Sequence, residues 1–294
     1  MTTIIPDELA SLLSNPMAKD RTDRRDFMKV TLGTGFAAAV LPTLSQAAIT
    51  TDTEGLEAGT ITIMVGEQPV PVYRAQPRDG RHLPVVLVVS EIFGVHQYIA
   101  DIARRFAKLG YLALAPDLFV RQGDPTKYSS IPELLKEVIA KVPDEQVMGD
   151  LDACVAWAYR NHGDTSRMAV TGFCWGGRIT WMYAAHNPQL KAGVAWYGRL
   201  VQDKNPLQPA HPVDIAPQLK VPVLGLYGGK DAGIPLDSVE QMRKALGRGS
   251  SQSDIHVYAD AGHGFHADYR PGYVEADAKD GWKRCLDWFR RHGV

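Results

Sequence analysis

Several features that would direct a sequence toward other functions are missing from this chain. Only three of its 294 residues are cysteine, and none form a C-x-x-C pair, so neither a disulfide framework nor a zinc site is indicated. Lysine and arginine (32) balance aspartate and glutamate (33), and this near-neutral charge does not favour a nucleic-acid partner. Repeats and low-complexity tracts are also absent. Because 45% of the residues are hydrophobic, the chain is able to bury a sizeable core.

The first 48 residues carry the pattern of an export signal. Arg24-Arg25 is followed by a weakly apolar stretch over 30–44 and then by the small-x-small pattern Ser45-Gln46-Ala47. This order is typical of a twin-arginine signal, which predicts transient contact with that export machinery, cleavage near Ala48 and a periplasmic or secreted mature protein. The apolar stretch is shorter than the roughly 20 residues that span a bilayer, so no stable membrane insertion is expected after cleavage. The alternative is a tail without a targeting role on a cytoplasmic enzyme.

Strands and helices are predicted to alternate along residues 57–294. Period-2 patterns over 60–65 and 70–74 predict an opening antiparallel hairpin, and Pro71 favours a sheet edge for its second strand. The β-branched run over 84–90 predicts a strand buried on both faces of a parallel sheet. Further strands are predicted over 111–115, 168–172, 192–197, 221–228 and 254–258. Helices are predicted over 99–109, 146–161, 176–186, 235–246 and 274–291.

This alternation predicts a single α/β domain over 57–294. We expect a mainly parallel, twisted sheet with helices on both faces and an N-terminal antiparallel hairpin. Two segments that follow strands are expected to be loops, 119–130 and 202–218. Both are predicted to lie at the carboxyl ends of the strands, where open α/β sheets bind ligands.

The sequence Gly172-Phe173-Cys174-Trp175-Gly176-Gly177 lies between a predicted strand and a predicted helix. Gly-x-Cys-x-Gly in this place is the pattern of the nucleophile elbow of the α/β-hydrolase fold, with cysteine in place of serine. A helix N-terminus favours the thiolate, which is the reactive form. We therefore expect Cys174 to be the nucleophile, with the backbone N–H groups of Trp175 and Ile92 as the oxyanion hole. The alternative is a helix-packing glycine motif with an incidental cysteine.

A nucleophile needs a base and a group that orients the base, and both are predicted to follow later strands. Asp231 comes just after the strand over 221–228, and His263 lies in a glycine-rich loop after the last strand. The order Cys174, Asp231, His263 is that of the α/β-hydrolases. Because each residue follows a strand's C-terminal end, the three side chains are able to converge.

Other polar residues offer weaker alternatives. Asp237 falls inside a predicted helix, and Asp260 precedes His263 in a turn, so neither is favoured as the acid. A metal site built from His263, His266 and Asp268 would lack a second ligand cluster, so neither a metal nor a cofactor is expected. Surface or capping roles are expected for the two histidines without a strand-end position, His186 and His211. Packing roles are expected for the two cysteines in apolar helix-like runs, Cys154 and Cys285.

Five motifs occur in order along residues 57–294. They are Ser90-Glu91-Ile92-Phe93-Gly94-Val95, Ala115-Pro116-Asp117-Leu118-Phe119, Gly172-Phe173-Cys174-Trp175-Gly176-Gly177, Gly229-Lys230-Asp231-Ala232-Gly233-Ile234-Pro235 and Gly262-His263-Gly264-Phe265. Together they resemble the dienelactone hydrolase family. The resemblance implies hydrolysis of an ester or cyclic enol-lactone through a cysteine acyl-enzyme. It also implies that Glu91 contacts the resting nucleophile and helps to take the thiol proton when substrate binds. From the pattern alone, Glu91 could equally be a capping or salt-bridge residue.

The sequence departs from the family where substrate is expected to bind. Family members active on dienelactone hold its carboxylate with arginines, whose planar guanidinium donates two parallel hydrogen bonds. One arginine lies four positions after the triad histidine, where this chain has Ala267, and the nearest arginine is Arg270. Another lies on the loop after the Pro-Asp-Leu motif, near Arg121. The candidate substrate contacts are therefore Arg121, Arg270 and Phe93, and dienelactone itself stays open as the substrate.

The sequence thus predicts a hydrolase that cleaves a small-molecule ester or enol-lactone through an acyl-enzyme on Cys174. A broad-specificity carboxylesterase or peptidase-like hydrolase on the same fold is one alternative, and a ligand-binding protein without catalysis is another. A panel of enol-lactones, aryl esters and peptides would separate the enzymes. Labelling of Cys174 by iodoacetamide at neutral pH would separate them from the binding protein. The sequence makes no prediction of the oligomeric state.

Overall fold

One mixed sheet organises residues 48–294, the part of the chain that the computed structural model describes. The sheet has eight strands in the order β1-β2-β4-β3-β5-β6-β7-β8. The strands are β1 (Leu56–Val65), β2 (Gln68–Pro77), β3 (Leu83–Val89), β4 (Leu112–Pro116), β5 (Gly163–Phe173), β6 (Ala192–Trp196), β7 (Val223–Gly228) and β8 (Asp254–Tyr258). The β1–β2 hairpin and the β2–β4 pair are antiparallel, and the pairs from β4 to β8 are parallel. The export signal expected over residues 1–48 lies, apart from Ala48, outside the described residues.

The helices lie between the strands and after the last one. They are α1 (Gln97–Lys108), α2 (Ile131–Glu137), α3 (Asp144–Arg160), α4 (Trp175–His186), α5 (Pro212–Ile215), α6 (Leu236–Leu246) and α7 (Glu275–Arg291). Short 3₁₀ turns lie after β4, after α2 and after α5, at Pro125–Lys127, Ile139–Lys141 and Ala216–Gln218. Within the described residues, no helix combines the length and the apolar character needed to cross a membrane.

The helices cover both faces of the sheet, as the sequence predicts. From β3 the chain moves through α1 to β4 on one side, whereas the later crossovers through α3 and α4 move to the other side. Because parallel crossovers are right-handed, this reversal places α1 and α3 on opposite faces. Side-chain contacts agree with this placement of the helices. The ring centres of Phe106 in α1 and Phe289 in α7 are 6.0 Å apart. On the other face, Tyr183 of α4 donates a 2.9 Å hydrogen bond to Asp152 of α3.

Pro71 does not mark an edge strand, so that expectation is wrong. β2 lies between β1 and β4, and β1 is the strand at the edge. The register of β2 with β4 starts only at Val72, and the Pro71 carbonyl accepts a 2.8 Å hydrogen bond from the N–H of Asp117. Pro71 therefore lies just beyond the last paired residue of the β2–β4 ladder. Proline has no N–H to donate, and at this position the ladder loses no hydrogen bond.

The segments expected to be loops contain short helical turns. α5 lies within 202–218, and a 3₁₀ turn lies within 119–130. Helix α2, which was not expected, begins after Ser130, whose hydroxyl accepts a 3.4 Å hydrogen bond from the N–H of Glu133. These elements lack the long apolar periodicity that predicts the larger helices.

The direction of the crossovers reverses between β3 and β5, which are neighbours in the sheet. Their register pairs Val89 with Gly172, so the residues that follow the two strands emerge side by side. Ligands bind at such a reversal in open α/β sheets, beyond the carboxyl ends of the strands. Glu91 comes two residues after the end of β3, and Cys174 is the first residue after β5.

We expect the glycines of this turn to tolerate no side chain. A Cβ on Gly172 would lie 2.2 Å from the carbonyl oxygen of Gly176. The substitution Gly172→Ala should therefore lower the free energy of unfolding by about 3 kcal/mol or more. The control is Gly149→Ala in α3, where a Cβ would meet no atom within 4 Å. That variant should gain up to about 1 kcal/mol in urea unfolding. Equal stabilities for the two variants would contradict the close approach.

Candidate active site

Cys174 occupies a strained turn between β5 and α4. Its backbone has φ 55° and ψ −115°, a region that residues with a side chain rarely adopt. The Cys174 N–H donates to the carbonyl of Trp196 at 3.0 Å, and the following helix packs closely on β3. A Cβ on Gly176 would lie 2.4 Å from the carbonyl oxygen of Val89. These contacts fix the strained backbone and place the thiol at the N-terminus of α4.

Asp231 and His263 meet beyond the ends of β7 and β8. The Nδ1 atom of His263 lies 2.7 Å from the Oδ2 atom of Asp231. The other carboxylate oxygen accepts a 2.9 Å hydrogen bond from the N–H of Gly233, so the carboxylate is held in place. Burial alone would lower the pKa of His263, but the interactions with Asp231 and Cys174 raise it well above its ordinary value. The imidazole is therefore well suited to hold a proton taken from the thiol.

The second nitrogen of His263 faces the nucleophile. Its Nε2 atom is buried and makes no regular hydrogen bond within residues 48–294. His263 and Cys174 line one cavity, and their electrostatic interaction shows that the two side chains are close. With Nδ1 bound to Asp231, Nε2 is the atom available to exchange a proton with sulfur or with substrate.

The two expected oxyanion donors follow neighbouring strands of the sheet. Ile92 follows β3, and Trp175 is the first residue of α4. In the described part of the chain, neither backbone N–H donates to another protein atom. Both groups can therefore bind an oxygen that gains charge beside Cys174.

Glu91 is fully buried and held by three side chains. Its Oε2 atom accepts a 2.6 Å hydrogen bond from the hydroxyl of Tyr269 and lies 3.2 Å from Nε2 of His96. Arg270 Nη2 lies 3.9 Å from the Oε1 atom. Burial alone would raise the pKa of this carboxyl group, but the Arg270 charge and the bonds from His96 and Tyr269 lower it to about 2. Glu91 is therefore an anion at neutral pH.

The family pattern implies a resting contact between Glu91 and the nucleophile, and the structure has a different one. Oε1 of Glu91 has no hydrogen-bond partner in the described residues, and Oε2 is bound by Tyr269 and His96. Sequence reasoning missed His96 and Tyr269. Each follows one of the family motifs, after Val95 and after Phe265, and this position does not distinguish a polar contact from core packing.

The three candidate substrate contacts occupy different places. The guanidinium carbon of Arg270 lies 5.0 Å from the ring centre of Phe93, beside Glu91. Arg121 instead forms two 2.8 Å hydrogen bonds with the buried carboxylate of Asp150 in α3. It is not among the residues that line the cavity over Cys174. The structure thus brings Arg270 and Phe93 to Glu91 but does not bring Arg121 to the nucleophile.

A cavity of about 290 Å³ opens above Cys174 and His263. One part of its wall is apolar and comes from α2, the turn after it, the elbow and the segment after β7: Leu135, Ile139, Ala140, Trp175 and Ile234. Another part is polar and comes mainly from the segment after β6: Tyr197, Arg199, Gln202, Asn205 and Gln208. The cavity has the size and mixed lining of a small-molecule site. Sequence reasoning expected this segment to be near the ligand but did not single out its side chains.

The competing candidates have other partners. Asp260 is exposed and binds Lys230 at 2.7 Å, and Asp237 is exposed on α6. His266 accepts or donates a 2.6 Å hydrogen bond with Tyr98, and Asp268 binds Arg105. No cluster of metal-ligating side chains occurs within residues 48–294. His186 pairs with Asp152, and His211 with Arg178. Burial raises the pKa of the two other thiols, Cys154 and Cys285.

The strained turn after β5, the acid–base pair after β7 and β8, and the reversal of the sheet together define an α/β-hydrolase. Comparison with known proteins places it more narrowly. The model of the dienelactone hydrolase family matches residues 70–293, and the chain belongs to this family.

Its relatives cover most of the chain. A "Putative carboxymethylenebutenolidase" from Methylorubrum extorquens is 54% identical over 278 residues, which are 94% of this chain and 96% of the relative. The crystal structure of a "Putative Dienelactone Hydrolase" from Klebsiella pneumoniae is 57% identical, with a TM-score of 0.79 over 80% of this chain and 99% of that one. A more distant relative, the "Probable 2-oxo-3-(5-oxofuran-2-ylidene)propanoate lactonase" of a Bradyrhizobium species, is 29% identical over 75% of this chain and 88% of the relative. These findings identify the chain as a hydrolase.

The pairing of Asp231 with His263 leads to a matched test. Asp231→Asn removes the carboxylate that raises the pKa of His263, so that pKa should fall, and the imidazole should hold a proton over a narrower pH range. We expect kcat for an aryl ester to drop by about a thousandfold or more. Asp260→Asn, which changes an exposed carboxylate nearby in sequence, should keep the native rate. An equal loss in both variants would reject Asp231 as the orienting acid.

Proposed function

We propose that this protein hydrolyses small esters or enol-lactones through an acyl-enzyme on Cys174. The observation that carries the proposal is the arrangement around His263. Its Nδ1 atom is bound to Asp231 at 2.7 Å, while its buried Nε2 atom has no regular partner and faces the cavity that Cys174 lines. A base held in one tautomer beside a nucleophile at a helix N-terminus is the arrangement that acyl transfer needs.

The reaction would begin with loss of the thiol proton. Glu91 or His263 accepts this proton, and the Cys174 sulfur attacks the substrate carbonyl carbon. The carbonyl π bond becomes an oxyanion, which the N–H groups of Ile92 and Trp175 stabilise. One such donor contributes roughly 3–4 kcal/mol in a hydrolase of known mechanism. When the carbonyl reforms, the bond to the leaving oxygen breaks, and the group that took the thiol proton, Glu91 or His263, returns it to that oxygen.

The second half of the reaction returns the free enzyme. A water molecule gives a proton to Nε2 of His263 and attacks the thioester carbonyl carbon. The carbon–sulfur bond then breaks, the acid leaves, and the sulfur regains its proton or stays a thiolate. In a lactone the leaving oxygen stays attached to the acyl group, so ring opening yields one product after hydrolysis.

Enol-lactones and activated esters fit this site better than alkyl esters do. A thiolate is itself a good leaving group. The tetrahedral intermediate therefore expels the sulfur and returns the substrate, unless the ester oxygen leaves as a stabilised anion such as an enolate. The lactonase name of the Bradyrhizobium relative supports a lactone substrate. The cavity of about 290 Å³ supports a small one.

Trapping the acyl-enzyme tests the proposal directly. The native protein is mixed with a panel of enol-lactones, aryl esters and peptides, quenched in acid and digested for mass spectrometry. We expect an acyl group on Cys174 and none on the buried Cys154 or Cys285. Cys174→Ala should lose turnover of every substrate that acylates the native protein. Turnover retained by Cys174→Ala would reject the nucleophile, and acylation by peptides alone would favour a peptidase-like hydrolase.

We also propose that the protein is exported through the twin-arginine route. The support is the order of Arg24-Arg25, the apolar stretch over 30–44 and Ser45-Gln46-Ala47 in the sequence. Changing Arg24 and Arg25 together to lysine should leave the protein in the cytoplasm when cells are fractionated. Arg21→Lys, outside the pair, is the control and should be exported normally. Unchanged localisation of the double variant would reject the proposal.

A further inference from the structure

We propose that Tyr269 is a positioning residue for Glu91, and that its hydroxyl extends toward acid the pH range in which the enzyme is active. The inference rests on the proposed role of Glu91 as a proton acceptor for the Cys174 thiol. Tyr269 is not among the residues that line the cavity over Cys174, and its hydroxyl binds Glu91, so we infer that it acts through this carboxylate.

The direction of the Tyr269 hydrogen bond follows from its neighbours. The hydroxyl oxygen receives a 3.1 Å hydrogen bond from Nε of Arg270, which can only donate. The hydroxyl proton is therefore left to bond Oε2 of Glu91, at 2.6 Å. Arg270 thus strengthens the donor that Tyr269 presents to the carboxylate, in addition to its own charge at 3.9 Å from Oε1.

The two oxygens of Glu91 have separate environments. Oε2 is anchored by Tyr269 and His96, whereas Oε1 is buried with no hydrogen-bond partner in the described residues. A fully buried carboxylate oxygen without a partner is costly, which indicates that it is used at some stage of the reaction. Anchoring through Oε2 keeps the group charged and leaves Oε1 open to accept a proton.

Other titratable groups also interact electrostatically with Glu91. They come from the segment before α1, from α1, from the residue after β6 and from the loop after β8: His96, Tyr98, Tyr197, His266, Asp268 and Arg270. Burial raises the pKa of the two tyrosines well above the ordinary range and lowers that of His266 to about 3. These three groups therefore stay neutral between pH 4 and 9. The other groups remain in a Tyr269→Phe variant, and Arg270 loses only its bond to the Tyr269 hydroxyl, so a shift between the two profiles reports on that hydroxyl and the bonds it makes.

The loop after β8 folds back so that Tyr269 and Arg270 reach Glu91. Gly264 has φ 74°, and successive turns join Ala267 to Gly264 and Arg270 to Ala267 through 2.8 and 3.0 Å hydrogen bonds. The Arg270 side chain passes over Gly264, where a Cβ would lie 3.4 Å from its Nη1 atom. The arginine expected four positions after His263 is thus replaced by a tyrosine–arginine pair that arrives from farther along the loop.

The test compares two tyrosines that differ mainly in the carboxylate they bind. Tyr269→Phe removes the hydroxyl from Glu91, and Tyr258→Phe removes a 2.8 Å hydrogen bond to Asp280 on α7. Both side chains are 7% exposed. Losing the Tyr269 hydrogen bond raises the pKa of Glu91, so the carboxylate is protonated, and activity is lost, at a higher pH than in the native enzyme. We expect the pH below which kcat/KM falls to lie about one to two units higher in Tyr269→Phe than in the native enzyme, and the two rates to be similar at neutral pH.

The outcomes separate this inference from the proposed function. Tyr258→Phe should keep the native pH profile. A native profile for a folded Tyr269→Phe, or the same shift in both variants, would overturn the positioning role. If Tyr269→Phe does not fold, 3-fluorotyrosine at position 269, a stronger donor of the same shape, should move the acid limit to lower pH, and no movement would overturn the inference. Absence of acyl-Cys174 in the native enzyme would instead reject the proposed function itself.

Discussion

The close contact between the turn after β5 and the end of β3 is the constraint on which the site depends. Glycine at 172 and 176 lets the backbone of α4 approach both strands to distances that no Cβ would allow. This approach brings Cys174 beside the residues that follow β3, including Ile92 and Glu91. Cys174, the backbone N–H of Ile92 and the buried carboxylate of Glu91 therefore follow two strands whose backbones are in close contact. Packing near the sheet, rather than the loops, sets the geometry of the reacting groups.

The buried charged side chains around Cys174 occur in pairs of interacting residues. Asp231 accompanies His263, and Glu91 accompanies Arg270, so no ionised group is buried without an opposite or hydrogen-bonding neighbour. The two pairs have different effects on protons. The first raises the proton affinity of an imidazole, and the second keeps a carboxylate ionised. Under the proposed mechanism, a proton released by Cys174 would have two acceptors, His263 and Glu91, each with a pKa shifted by a charged partner.

The strands, the larger helices and the meeting of Cys174, Asp231 and His263 beyond the strand ends were predictable from the sequence. Periodicity and glycine placement are local signals, and Asp231 and His263 follow strands whose apolar runs are unmistakable. The partners of Glu91 were not predictable, because Tyr269 is 178 residues away along the chain and reaches the carboxylate only after the last loop folds back. Arg121 is the opposite case, a contact that the sequence suggested and the fold does not make. Its place in a motif suggested a ligand contact, but a buried carboxylate on α3 binds its guanidinium in the folded chain.

The burial of Cys154 and Cys285 has a chemical consequence for Cys174. These two thiols are 1% and 0% exposed, so neither can approach the third across the packed core. A sulfenic acid formed on Cys174 would therefore have no resolving cysteine within residues 48–294. It could not be stored as an internal disulfide, and its reduction would depend on a thiol from outside the protein. In an oxidising compartment, the lifetime of the active enzyme would then be set by how well the 3% exposed sulfur is shielded from oxidants between turnovers.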